Sequence, residues 1–210
     1  MDVPKSVMVA YASLHGSTEE IAGFIAARLR RAGLRAQARR AGPAADPTGY
    51  AAVIVGSAVH HMDWMPQAEG YLHEHAQILA RRPLWLFSVG LRDSLTGPIG
   101  RLLAAHYGEP RQIPDARHAL APRDHRVFSG VVAPDHYPPV GRLVVRAIGG
   151  RYGDFRDWDA IGAWTDSIAC ELTTPRHRRK TGLAGDADPG RDRRPSARHL
   201  GDRPDPRAHG

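Results

Sequence analysis

Six residues between an apolar run and a helix-forming run carry the densest chemistry in the chain. Ser13, Leu14, His15, Gly16, Ser17 and Thr18 gather three hydroxyls, an imidazole and one glycine. A loop that feeds a helix N-terminus is suited to an anion, because the first helical amides lack partners and the helix dipole leaves positive potential there. Gly16 lets the backbone come close and the hydroxyls add donors, so phosphate is the fitting ligand class. Ser17 with Glu20 three residues on also has the spacing of a capping box, which would satisfy the same amides without a ligand. That alternative leaves Ser13, His15 and Gly16 unexplained.

Two later stretches are also rich in small or polar residues: Ser57, Ala58, Val59, His60 and His61, then Ser88, Val89, Gly90 and Leu91. Adjacent histidines cannot both face one ligand from an extended loop. Without a partnering Cys or a third nearby His they make a poor metal site. Either both are exposed loop residues or one touches a ligand. Trp64 either stacks on that ligand or packs at the start of its own element. His73 and His75 lie two apart on an expected helix and share no face. No residue stands out as an essential acid or base. Cys170 is the single cysteine, so no internal disulfide can form.

The elements that must position these stretches follow from the apolar pattern. Residues 5–12, 50–59 and 83–91 read as continuous apolar strands of the kind buried on both faces of a parallel sheet. A further clear strand is expected over 126–133 and a weak edge strand over 34–40. Helices are expected over 18–32, 64–82, 99–106, 140–148 and 157–172. The segment 140–148 reads either as a core-facing amphipathic helix or as a membrane-surface contact. Strands alternating with helices, with no internal repeat, imply an α/β fold: a doubly wound, five-stranded parallel sheet with helices on both faces, flavodoxin-like in order. Ligands in such sheets bind outside the carboxyl ends of the strands, at the switch point. The loops after Ala12, Ser57 and Ser88 are therefore expected to meet.

The 210 residues suit one domain with an appendage. Residues 1–173 are expected to fold and 174–210 to form a basic disordered tail. Of the net charge of +7, the tail holds +5 and the remainder only +2. The tail contains no aromatic residue and cannot bury enough to offset its ordering entropy. It reads as a solvated extension capable of non-specific charge attraction, with no specific nucleic-acid partner. The N-terminus lacks a basic region followed by an apolar run, and no segment has the uninterrupted apolar length for a bilayer span. A cytoplasmic protein is expected.

Other phosphate binders are excluded by motif. There is no GxxxxGK and no GxGxxG, and the first strand ends Ala10, Tyr11, Ala12 rather than in the acids a phospho-receiver domain needs. The run VAYASLHGSTEEIAGFI instead resembles the FMN-phosphate signature of flavodoxins, with Tyr11, Ser13, Gly16, Thr18, Ala22 and Ile25 on its positions. GSAVHHMDW, FSVGL, SGVV with DHYPP, a basic-apolar helix and a closing Trp-containing helix are similar in order to flavodoxin-domain proteins of the menaquinone-dependent protoporphyrinogen IX dehydrogenase type. An insert at 134–152 occupies the place that distinguishes that family from plain flavodoxins. Its members carry an Arg-Tyr-Gly-like run where this chain has His60, His61 and Met62.

The resemblance implies FMN as cofactor, with Ser13, Leu14, His15, Gly16, Ser17 and Thr18 at the phosphate. Ser57 to His61 and Ser88 to Leu91 would frame the ring. It implies an oxidoreductase that takes hydride equivalents from a reduced substrate, protoporphyrinogen IX in haem biosynthesis, and passes electrons to a quinone. Such a protein would touch the inner face of the membrane peripherally. The alternatives are an electron carrier and a non-catalytic flavin-binding accessory protein. Catalytic residues are unassigned and no metal is expected.

Overall fold

A computed structural model describes residues 5–95, 102, 109–136, 138–147 and 149–174. The expected helix over 99–106, apart from Leu102, and the tail from 175 onward lie outside the described residues. Strand β1 (Ser6–Ala12) is almost wholly buried and sits between β2 (Arg35–Arg40) and β3 (Ala52–His60), both parallel to it. β3 pairs in parallel with β5 (Leu84–Gly90), and β5 with β6 (Asp124–Ser129). The order β2-β1-β3-β5-β6 is the doubly wound arrangement, with its switch between β1 and β3. The weak strand expected over 34–40 is indeed an edge.

Alternate residues of each strand point to opposite faces, which divides the core into two layers. On one side Val7, Val9, Ile54, Trp85 and Phe87 meet helix α1 (Ser17–Arg31) and the closing helix α6 (Trp158–Thr173) through Ile21, Ile25, Leu29, Ile161 and Ile168. On the other, Met8, Ala10, Val53, Val55 and Leu86 meet α2 (Pro66–Glu74), α3 (Ala76–Leu79) and α4 (Gln112–Leu120). Gly56 is required at the sheet centre, because a Cβ there would lie 1.9 Å from Phe87 Cζ.

Three expectations need correction. The helix expected over 64–82 is not continuous. His61 and Met62 take positive φ (51° and 70°) and turn β3 back into β4 (Asp63–Trp64), antiparallel to β3. Pro66 then starts α2, consistent with its tolerance in the first helical turn, and the helix breaks at His75. The strand expected over 126–133 ends at Ser129. Gly130 donates to the Gly90 carbonyl (2.9 Å) and accepts from Phe155 N–H (3.2 Å). Beyond it the chain forms a separate ladder of β7 (Val131–Val132) with β8 (Gly153–Asp154). Helix α5 (Pro139–Ala147) is present, yet it buries only Val145; Val140, Leu143 and Val144 are 75%, 69% and 53% exposed. The core-facing reading of that helix is thereby overturned.

Candidate functional site: a phosphate loop at the switch point

The loop after β1 is built to leave its helix end open. Gly16, at φ 94°, is the residue preceding α1 and makes no side-chain cap. That left-handed conformation suits glycine and few other residues. Its N–H donates to Ser13 Oγ (3.0 Å), which folds the loop onto itself. The capping box expected from Ser17 and Glu20 does not form. Ser17 is already the first helical residue, and Glu20 pairs with Arg156, whose guanidinium also holds Asp154 of β8.

Thr18 gives the site its clearest polar signal. It is wholly buried, and its Oγ1 has no hydrogen-bond partner. An unpaired buried hydroxyl costs about 1–3 kcal/mol, so its retention calls for an explanation. Leu14 and His15 are exposed beside it. The imidazole of His15 stacks on that of His136, with centroids 3.9 Å apart and planes 6° from parallel. His136 closes a short turn (Pro134–His136) after β7, so the start of the insert lies against the phosphate loop. Burial lowers the His15 pKa, and His136 and His60 lower it further, against the upward pull of Asp135. The register of Ala12 opposite Ser57 sets the ends of β1 and β3 side by side.

The other expected residues divide into engaged and exposed groups. Ser57 is fully buried; its hydroxyl donates to the Ala58 carbonyl (2.8 Å) and accepts from Met65 N–H (2.9 Å). Ser88 is also fully buried, accepts from Trp64 Nε1–H (2.8 Å) and meets His125 Nε2 at 2.8 Å. Both serines therefore sit inside the scaffold rather than offering a hydroxyl to a ring. Trp64, 2% exposed, is a core residue. Ala58, Val59 and Gly90 are half-buried and Val89 is buried, whereas His60, His61 and Leu91 are exposed. The rings of His60 and His61 meet edge-on at 4.1 Å. Asp93 N–H donates to Ser129 Oγ (3.1 Å), which ties the loop after β5 to the end of β6. A Cβ on Gly130 would lie 3.0 Å from both Ser17 Oγ and Val89 Cγ1. The loops after β1, β5 and β6 therefore close on one another at the carboxyl edge.

Behind this edge runs a buried polar chain. His125, its side chain 1% exposed, contacts Glu109 Oε1 through Nδ1 at 3.0 Å, and Glu109 in turn pairs with Arg117. Burial pushes the His125 pKa down in spite of Glu109. Burial would raise Glu109, but its bonds from Arg117 and His125 hold it below the usual carboxylate range. The neutral tautomer with Nδ1–H donating to Glu109 lets Nε2 accept from the Ser88 hydroxyl, which satisfies every member. The Ser-His-Glu order imitates a hydrolytic triad, but its serine is sealed from solvent.

His136, Gly130 and α4 were missed by sequence reasoning. Ile113, Ala116 and Leu120 at helical spacing carried a signal for α4. His136 carried none, because its role depends on a contact across more than a hundred residues.

These features define a flavin-binding redox protein of flavodoxin fold. The flavodoxin-domain family model matches residues 8–157, and the chain belongs to that family. Similar solved structures include a flavodoxin from the domain Archaea (13% identity, TM-score 0.52, covering 80% of this chain and 99% of that one). A flavodoxin from Pseudomonas aeruginosa, solved as a cysteine-to-serine mutant, has 14% identity and TM-score 0.50, covering 80% and 99%. The rubredoxin oxygen:oxidoreductase from Desulfovibrio gigas has 16% identity and TM-score 0.51, covering 80% of this chain and 36% of its own. The chain thus spans about a third of that last protein. No curated protein matches the sequence.

FMN is the cofactor that the family implies, and the residues present fit its phosphate. Gly16 in the left-handed region, an uncapped helix start and the unpartnered Thr18 hydroxyl are what a bound phosphate would use. Among the described residues no helix is long and apolar enough to cross a membrane.

Proposed function

We propose that the protein is an FMN-dependent oxidoreductase that takes hydride equivalents from a reduced organic substrate, with protoporphyrinogen IX as the leading candidate and a quinone as acceptor. The flavin supplies the redox chemistry when bound. The chain binds the phosphate through Ser13, Gly16, Ser17 and Thr18 and excludes water beneath the site with the buried ends of β3 and β5. His60, His61 and Leu91 are the exposed side chains available to the ring and substrate.

The insert is the observation that carries this reading. Its start touches the phosphate loop through His136, and its end lies beside the loop after β5, where Leu95 bridges Gly150 and Arg151 N–H donates to the Ser94 carbonyl (2.9 Å). Between those anchors α5 exposes Val140, Leu143 and Val144. An apolar helix face beside a flavin site suits an apolar substrate, and with Arg142 and Arg146 on the same helix it suits peripheral contact with an anionic membrane. Anaerobic addition of protoporphyrinogen IX to the yellow holoprotein should bleach the flavin absorption with no second protein present. Persistence of the oxidised spectrum would overturn the substrate. Sedimentation with anionic vesicles, lost in L143E/V144E, tests the membrane contact.

A carrier role is the second reading, favoured by the flavodoxin-domain match over residues 8–157. Under it, a reductase protein bleaches the flavin and the porphyrinogen does not.

A further inference from the structure

The phosphate loop holds no lysine or arginine; its one ionisable side chain is His15. A flavin 5′-phosphate carries between one and two negative charges near neutral pH. Helix amides and hydroxyls solvate such a group but do not neutralise it. His15 lies face to face with His136, and two rings at 3.9 Å repel each other if both are charged. The pair therefore holds at most one proton comfortably. His136 Nδ1 accepts from Ala133 N–H (3.3 Å), which leaves its Nε2 to carry hydrogen in the neutral ring.

Among the described residues the surrounding charges are few. His60 at the end of β3 and His136 oppose a proton on His15, and Asp135 favours it. The acids in the first turn of α1 are engaged elsewhere, Glu19 with Arg40 (2.8 Å) and Glu20 with Arg156. Without an anion the balance at His15 lies toward the neutral ring. An anion arriving at the Gly16 amide would reverse it.

We propose that His15, backed by the stacked ring of His136, is a proton-linked clamp for the phosphate: FMN binding draws one proton onto the pair, which then supplies the positive charge the loop otherwise lacks. The inference rests on the FMN reading of the same loop. It makes the insert part of cofactor binding and gives the protein a pH-dependent preference for phosphorylated flavin over riboflavin.

The sign follows from linkage. The bound phosphate raises the His15 pKa above its value in the flavin-free protein. Affinity is therefore greatest below the flavin-free value, and the added part disappears as pH rises through the bound-state value. Ionisation of the phosphate itself acts in the opposite direction and is common to every variant, so a ratio to a variant cancels it.

The test is fluorescence titration of the full-length flavin-free protein with FMN and with riboflavin, from about pH 5.5 to about pH 8.5, for wild type, H15Q, H136Q and H15K. The FMN affinity of wild type relative to H15Q should fall by about threefold to tenfold between about pH 5.5 and about pH 8.5, tenfold being the limit when the phosphate lifts the imidazole by about one pH unit. The same ratio for riboflavin should stay within about twofold. H136Q should show a reduced pH dependence, and H15K should bind FMN tightly with little pH dependence. Isothermal titration in two buffers of different ionisation enthalpy should show proton uptake with FMN and none with riboflavin. Parallel pH profiles for wild type and H15Q, or equal proton uptake with both flavins, would overturn the clamp while leaving FMN binding intact. Failure of wild type to bind either flavin at any pH would instead overturn the cofactor reading and the clamp with it.

Discussion

The ends of β1 and β5 meet the same crevice but use their hydroxyls in opposite ways. Ser88, at the end of β5, is locked between Trp64 and His125, and nothing polar is left over. Thr18, in the first turn of α1, is equally buried and has no partner. At these two strand ends the buried hydroxyls differ in pairing and not in burial, although the Tyr71 hydroxyl on the core-facing side of α2 also lacks a partner. The start of α1 therefore keeps an unpaired hydroxyl, whereas the ends of β3 and β5 expose His60, His61 and Leu91.

Breaking the scaffold side should have the largest effect. His125→Ala removes the link of this polar chain and leaves Ser88 with Trp64 alone and Glu109 with Arg117 alone. A loss of about 3 kcal/mol in urea unfolding is expected, with the ratio of FMN to riboflavin affinity unchanged. Gly56→Ala drives a methyl into Phe87 and should cost about 2 kcal/mol by the same assay. Thr18→Val sharpens the comparison from the other side. Its hydroxyl has no partner in the protein, so unfolding stability should be unchanged or higher. FMN affinity, but not riboflavin affinity, should fall by about 1.5 kcal/mol, read by fluorescence titration. Equal losses for both flavins would show that Thr18 does not face the phosphate.

The smallest effect is expected from pH. His125 is held neutral, with its pKa depressed by burial in the folded state. The unfolded chain takes up that proton first, so its contribution to stability is full above the ordinary histidine value and declines as pH falls from there toward the depressed value. Unfolding midpoints measured from about pH 8 down to about pH 5 should show a decline that flattens in His125→Gln.

Much of the fold was legible because buried parallel strands announce themselves as apolar runs. β1, β3 and β5 lie within two residues of their expected bounds. Helix α6 is equally plain: Asp157 caps it by accepting from Ala160 N–H (2.8 Å), and Ile161, Trp164, Ile168 and Leu172 recur on one buried face. What escaped depends on distant partners. Trp64 leaves the expected helix because His61 and Met62 adopt a turn conformation unusual for such residues, held by Gln112 accepting from Trp64 N–H (3.0 Å). The Ser17–Glu20 spacing spelled a cap, yet Arg156, far along the chain, draws Glu20 away. Helix α5 has a strong apolar stripe, and no periodicity states which way a stripe faces.

The β7–β8 ladder changes how the insert can vary. Val131 pairs with Asp154 and Val132 with Gly153, so the insert leaves and re-enters through one short ladder. Residues added or removed around helix α5, between the His136 and Gly150 contacts, would leave the register of the sheet strands unchanged. Closure entropy grows only slowly with such length, by about 0.6 kcal/mol per doubling. The α5 segment is thereby a place where length and sequence can change beside the loop after β1 while the five-stranded sheet keeps its register.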